Sequence, residues 1–215
     1  MILGRFLAAS TEFDQRLRSV RADQWTAPTP CAEWNVRQLV NHMVRGNLNY
    51  VDLLAGGTRE EFLRMRDADA LGDDPLTAYL ASVQLVAAAF GRPGALDEVL
   101  DYPLGKVTGR QALAVRATDS AMHAWDLARA SGVDDRLDPD LVAWISDDLE
   151  TIYAGLAESP IAAETTHRFF AAPGQGRESG SRQDRLLRLM GRNPGWSHRS
   201  NGPGAMIRQS QTDSR

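Results

Sequence analysis

The 215-residue chain has a single cysteine, Cys31. One thiol forms no intrachain disulfide, so packing must hold the fold, and a reducing, cytoplasmic setting is the expectation. Positive charge is also short: 24 Lys and Arg against 28 Asp and Glu give a formal net charge of −4 and a pI near 5.6. A nucleic-acid binder usually carries a basic surface, so no nucleic-acid partner is expected. No uninterrupted apolar run approaches the roughly 18 residues that span a bilayer, which argues against a membrane protein. The opening MILGRFLAASTEFDQRL is broken by Arg5 and followed by acids, so it reads as an amphipathic helix and not as a signal peptide. No alternating pattern is strong enough to build a main sheet. What is present is 43% hydrophobic residues, enough for a sizeable core in one domain with appendages.

That apolar content is arranged with helical periodicity. Phe6, Phe13, Leu17 and Val20 predict a first helix over about residues 2–22. A second should start at Asn35, which forms a capping-box pair with Gln38, and stop near Ala55 before Gly56-Gly57. TREEFLRMRDADALG reads either as a short helix or as an exposed connection. Asp74-Pro75 opens a third helix that runs to Gly91. A small hairpin is expected around Leu104–Val107. Thr108 and Gln111 open a fourth helix that stops at Gly132, and Asp138-Pro139 opens a fifth, to about Ala157. QDRLLRLMGR predicts one more short helix. The expected organisation is a helical bundle over 1–158, an extension packed on it over 159–193, and a disordered tail over 194–215. The fold class is all-α, a four-helix bundle with additional C-terminal helical segments.

Chemistry concentrates in TDSAMHAWDLARASG, residues 118–132. Successive helical residues turn by about 100°, so with Asp119 as zero, His123 lies at about +40° and Asp126 at about −20°. Val115, Met122, Ala112 and Ala130 share that stripe, while Arg116, Thr118, Ser120 and Arg129 are expected on a solvent-directed flank. A carboxylate among core residues needs a partner or a cation. An acid and a histidine one turn apart reach a common metal ion, and their donor atoms suit divalent zinc, iron, nickel or manganese. A third ligand is expected from His42 on the second helix, at the edge of its apolar face. His167 and His198 fall on less regular segments. Gly46, one turn beyond His42, is expected to leave room for a ligand. Asn49 on the same row and the nearby Arg45 are candidate cofactor-binding residues, although Arg45 reads first as a solvated surface side chain. The competing reading pairs His123 with Asp119 by an ordinary hydrogen bond and makes His42 a core residue. Asp126 is open to three roles: ligand, orienting partner of His123, or partner of Arg129. Cys31, with no His or Asp beside it in sequence, reads as structural, and the Trp, Met and Tyr residues as core.

DQWTAPTPCAEWNVRQLVNHMVRGNLNYVDLLAG, then MHAWDLARASG and QDRLLRLMGRNP, resemble an actinobacterial family related to the metal-binding domain of mycothiol-dependent maleylpyruvate isomerase, in the DinB/YfiT-like superfamily. The likeness runs over most of residues 1–193. It implies a DinB-like four-helix bundle whose metal ligands fall on His42, Asp119 and His123. Asp119 stands where the isomerase has the longer Glu, which leaves open whether Asp119 or Asp126 supplies the carboxylate. The isomerase also has a second C-terminal domain, for which this chain leaves little room, so its thiol contacts do not carry over. The resemblance implies a metal-dependent transferase or isomerase, with zinc as the expected ion, mycothiol as thiol cosubstrate and a small electrophilic substrate. The alternative is a non-catalytic module that forms a homodimer through its helices and holds a metal or small ligand as a sensor or scaffold.

Overall fold

Short polar signals set where each helix begins, and the structure, a computed structural model describing residues 1–157 and 180–197, shows how they act. Helix α1 spans Ile2–Leu17 and ends short of the expected residue 22; a single 3-10 turn follows at Ala22–Gln24. Helix α2 spans Val36–Leu54. Its cap, Asn35, accepts from the Gln38 backbone N–H, and the Gln38 side chain accepts from the Asn35 N–H, both at 2.9 Å. The charged stretch after Gly57 forms helix α3, Arg59–Met65, and helix α4 runs from Pro75 to Phe90 under an Asp74 cap. Strands β1 (Val99–Tyr102) and β2 (Gly105–Thr108) form the antiparallel hairpin, with Val99 opposite Thr108 and Tyr102 opposite Gly105. Helix α5 spans Gly109–Ser131 and closes on Gly132 in the left-handed region, φ 72°, which glycine adopts without steric penalty. Helix α6, Pro139–Ile152, stops before the expected residue 157, and helix α7 spans Arg182–Leu189.

The expected capping box at α5 is only half made. Thr108 accepts from the Gln111 N–H, but the Gln111 amide donates to the carbonyls of Ile152 and Ala154, tying the start of α5 to the end of α6. His167 and His198 lie outside the described residues, as do most of the expected extension and tail. Of the expected tail, Pro194–Ser197 are described, and Trp196 among them is buried.

Helices α1, α2, α4 and α5 form the bundle: α5 packs on α1 and α2, and α4 closes against both α1 and α2. The architecture is the expected all-α one. Helix α5 is its axis. All its residues except Arg110, Gln111, Asp119 and Arg129 are buried. Its alanines at 112, 117, 121, 124 and 128 let neighbours approach closely, while Leu113, Trp125 and Leu127 fill the space between them. A helix buried all round has no amphipathic stripe, and any polar residue on it must find a partner inside the protein. Helix α7 packs on α6, and Gln183 fixes it by hydrogen bonds to the backbone of Asp135 and Leu137. Among the described residues no helix is long and apolar enough to cross a membrane.

The Asn35 cap secures the start of the helix that carries His42. Asn35→Ala should therefore lower the unfolding free energy by about 1 kcal/mol, seen as a lower urea midpoint with an unchanged slope.

Candidate metal centre

Helices α2 and α5 face each other across a seam, and the three ligand candidates meet there. His42 Nε2 lies 3.2 Å from Asp119 Oδ2, and His123 Nε2 lies 3.1 Å from Asp119 Oδ1. One donor atom from each residue falls within 4.8 Å of the other two. The two imidazoles meet edge to face with centroids 5.0 Å apart, and Trp34 stacks on His42 at 4.5 Å. All four residues line a cavity of about 450 Å³.

The other side of His123 explains its orientation. Its Nδ1 lies 2.9 Å from Asp126 Oδ2. A carboxylate on that nitrogen leaves Nε2 as the atom facing Asp119 and His42. Asp126 is thus the orienting partner of His123. It does not pair with Arg129, which pairs with Asp135 at 2.9 Å and lies over the Trp125 ring. Asp126 is fully buried and accepts from two further donors: Arg192 Nη2 at 2.9 Å and the Cys31 thiol at 3.2 Å. Cys31, read from sequence as merely structural, therefore sits at the site. The turn before α2 puts it there, because Thr29 Oγ1 donates to the carbonyls of Cys31 and Trp34.

Arg116 is the main departure from expectation. It is buried, as are Thr118 and Ser120, so of the expected solvent-directed flank only Arg129 is partly exposed. Its guanidinium donates to Asp119 Oδ2 at 2.5 Å, to Asn47 Oδ1 at 2.7 Å and to the Met43 carbonyl at 2.5 Å. Gly46 makes room for this guanidinium: a Cβ there would lie 2.7 Å from Arg116 Nη1. Of the two candidate cofactor-binding residues, Asn49 lines the cavity. Arg45 does not; it donates to the carbonyls of Ala68 and Asp69.

Electrostatics divides the trio. Burial pushes the His42 pKa down to about 4 against the pull of Asp119, so His42 is neutral near pH 7. Burial also opposes charge on His123, but the Asp119 carboxylate and hydrogen bonds to Asp119 and Asp126 outweigh it and hold the pKa well above the usual histidine value. Burial opposes ionisation of Asp119, yet the charge on His123 and hydrogen bonds to both imidazoles keep its pKa well below the ordinary range. Asp126 falls to about 2, because Arg192 and His123 outweigh its burial.

Three comparisons bear on this geometry. A family model described as the mycothiol maleylpyruvate isomerase N-terminal domain matches residues 6–128. Uncharacterized proteins from two strains of Mycobacterium tuberculosis are each 37% identical over 133 residues, covering 62% of this chain and 69% of theirs. The crystal structure of the mycothiol-dependent maleylpyruvate isomerase superposes with a TM-score of 0.54 at 14% identity, covering 69% of this chain and 68% of that one, a likeness of fold.

Gly46→Ala tests the packing. On an isolated helix the change is favourable by about 1 kcal/mol. Here the new methyl collides with a buried guanidinium, an overpacking penalty of about 1–3 kcal/mol. The expected outcome is a net loss of stability in urea or thermal unfolding; a gain would mean that Arg116 yields freely.

Proposed function

The chain belongs to the mycothiol maleylpyruvate isomerase N-terminal domain family, and on that premise we propose that it holds one divalent metal ion through His42, Asp119 and His123. Zinc is the expected ion. The site serves a low-molecular-weight thiol, mycothiol, in transfer to or isomerisation of a small electrophile held in the cavity. One observation carries the reading: a carboxylate lies within 3.2 Å of two ring nitrogens, one of them fixed from behind by a buried acid. The donors fit the group. Ligand atoms about 2.0–2.2 Å from a tetrahedral ion stand roughly 3.3 Å apart; here the two ring nitrogens lie 3.2 and 3.1 Å from different oxygens of Asp119, and one donor atom of each residue falls within 4.8 Å of the others. When bound, such an ion lowers the pKa of a coordinated thiol or water and supplies a nucleophile at neutral pH.

The chain's own residues prepare that chemistry. Asp126 holds the proton on His123 Nδ1 and turns Nε2 inward. Arg116 occupies Asp119 Oδ2 and leaves Oδ1 directed at His123. Trp34 covers one face of His42 and keeps water from it. With His123 neutral as a ligand, Arg116 and Arg192 face Asp119 and Asp126, so the charge of a bound divalent ion would stand uncompensated. A surplus of positive charge favours an anionic thiolate over a neutral thiol. Pro30, Met122 and Met190 add apolar lining for the electrophile.

Metal analysis tests this reading directly. Purified protein should carry about one equivalent of zinc, lost in His42→Ala and in His123→Ala; unchanged metal in both variants would reject the site. Asp126→Asn should keep the ligands but weaken zinc binding about 10–100-fold. The pH dependence has a definite sign. His42 is already neutral above about pH 4, whereas His123 must give up its Nε2 proton. Apparent zinc affinity should therefore rise about tenfold per pH unit through neutrality, one proton per metal; a slope of zero there would mean that His123 carries no proton to release. Thiol-consumption assays with mycothiol and several electrophiles separate an enzyme from a holder that does not turn over.

A further inference from the structure

Behind His123, on the side turned away from Asp119, a second set of donor atoms closes on itself. Cys31 Sγ lies 3.9 Å from His123 Nδ1 and 3.2 Å from Asp126 Oδ2, and His123 Nδ1 lies 2.9 Å from that same Oδ2. All sides of this triangle join the same three atoms. In the set formed by His42, Asp119 and His123, the two ring nitrogens address different carboxylate oxygens. A sulfur about 2.3 Å from a tetrahedral ion, with a nitrogen and an oxygen at about 2.0–2.2 Å, gives separations of roughly 3.4–3.6 Å. The observed sides bracket that range.

We propose that Cys31, His123 and Asp126 form a second metal position, selective for a thiophilic divalent ion, which competes with the first for the His123 ring. Sulfur, imidazole nitrogen and carboxylate oxygen together suit borderline to soft ions. The donors are in place beforehand: His123 and Asp126 are buried, and Thr29 Oγ1 fixes the turn that carries Cys31. Cys31 and His123 line the cavity, which gives an ion its entry and room for a fourth ligand. Thiolate and carboxylate cancel the two charges of the ion. Arg192 Nη2 donates to Asp126 Oδ2 at 2.9 Å and to Cys31 Sγ at 3.5 Å, which holds both ligand atoms in position. Its positive charge also opposes any cation here, so an ion needs a strong bond to sulfur to enter. Zinc has no thiol proton to displace at the first position and stays there; cadmium has the stronger preference for sulfur.

On binding, a metal–sulfur bond replaces the S–H bond and a metal–nitrogen bond replaces the Nδ1–H bond, and both protons leave to solvent. The ring keeps its proton on Nε2, 3.1 Å from Asp119 Oδ1, and donates it there. That nitrogen is then closed to another ion, so the ring serves one position at a time. The second position stands on its own geometry; only the competition rests on the metal reading above.

Cadmium is the probe, because a thiolate bound to it gives an ultraviolet sulfur-to-metal charge-transfer band, and Cys31 is the only cysteine in the chain. One equivalent added to the metal-free full chain should raise the band to saturation. His42→Ala should keep the band whatever becomes of zinc, which separates this assignment from the metal reading. Cys31→Ser should lose it with unaltered helical circular dichroism. Asp126→Asn and His123→Ala should each weaken cadmium binding at least about tenfold. Zinc-loaded wild type should release zinc as the band grows, keeping one ion per chain. A band absent from the wild type, one lost in His42→Ala, or cadmium affinity unchanged in both Asp126→Asn and His123→Ala, as for a thiol acting alone, would overturn the second position. Cadmium and zinc bound together to one chain would overturn the competition.

Discussion

A carboxylate in the wall of a helical core, within reach of two imidazoles and a guanidinium, is the constraint around which the rest of this molecule is arranged. Asp119 is the one site acid on α5 that is not buried outright; its side chain is 30% exposed, to the cavity. Every neighbour has a task set by it. His42 is kept neutral, His123 carries the compensating proton, and Arg116 fixes one carboxylate oxygen from behind. Removal of Arg116 or of His123 takes a charged partner from a desolvated carboxylate, which is more destabilising than the loss of an ordinary contact. The small residues of the bundle serve the same end, since Gly46 exists where the guanidinium must pass.

Much of the fold was legible because helix starts and stops are local. Asn35, Asp74 and Thr108 mark three bundle helices and Gly132 ends one, each by hydrogen bonds or backbone torsions within a few residues. The hairpin followed from its short interruption between two helices. The ends of α1 and α6 were less legible, because where a helix stops is decided by what packs on its last turn. Spacing along one helix put Asp119 and His123 on a shared face; His42, on another helix, was a candidate from its place at the edge of the apolar face of α2 and from the family resemblance.

Arg116 was misread for a general reason. Arginine is ordinarily solvated, yet the helical wheel puts it at about +60° from Asp119, only about 20° beyond His123. An acid three residues on, within the same stripe, was the available signal. Cys31 and Arg192 had no such signal. Cys31 reaches the site through a loop fold, and Arg192 from a segment more than 60 residues beyond the acid it binds. Nothing local encodes such closures.

The segment bearing Arg192 lies past residue 128, where the match to the family model ends. Asp126, the partner behind His123, is therefore neutralised by a part of the chain outside that match. The three candidate side chains sit within the matched region while the charge behind one of them comes from outside it, so the basicity of that imidazole is set by a separate stretch of the chain.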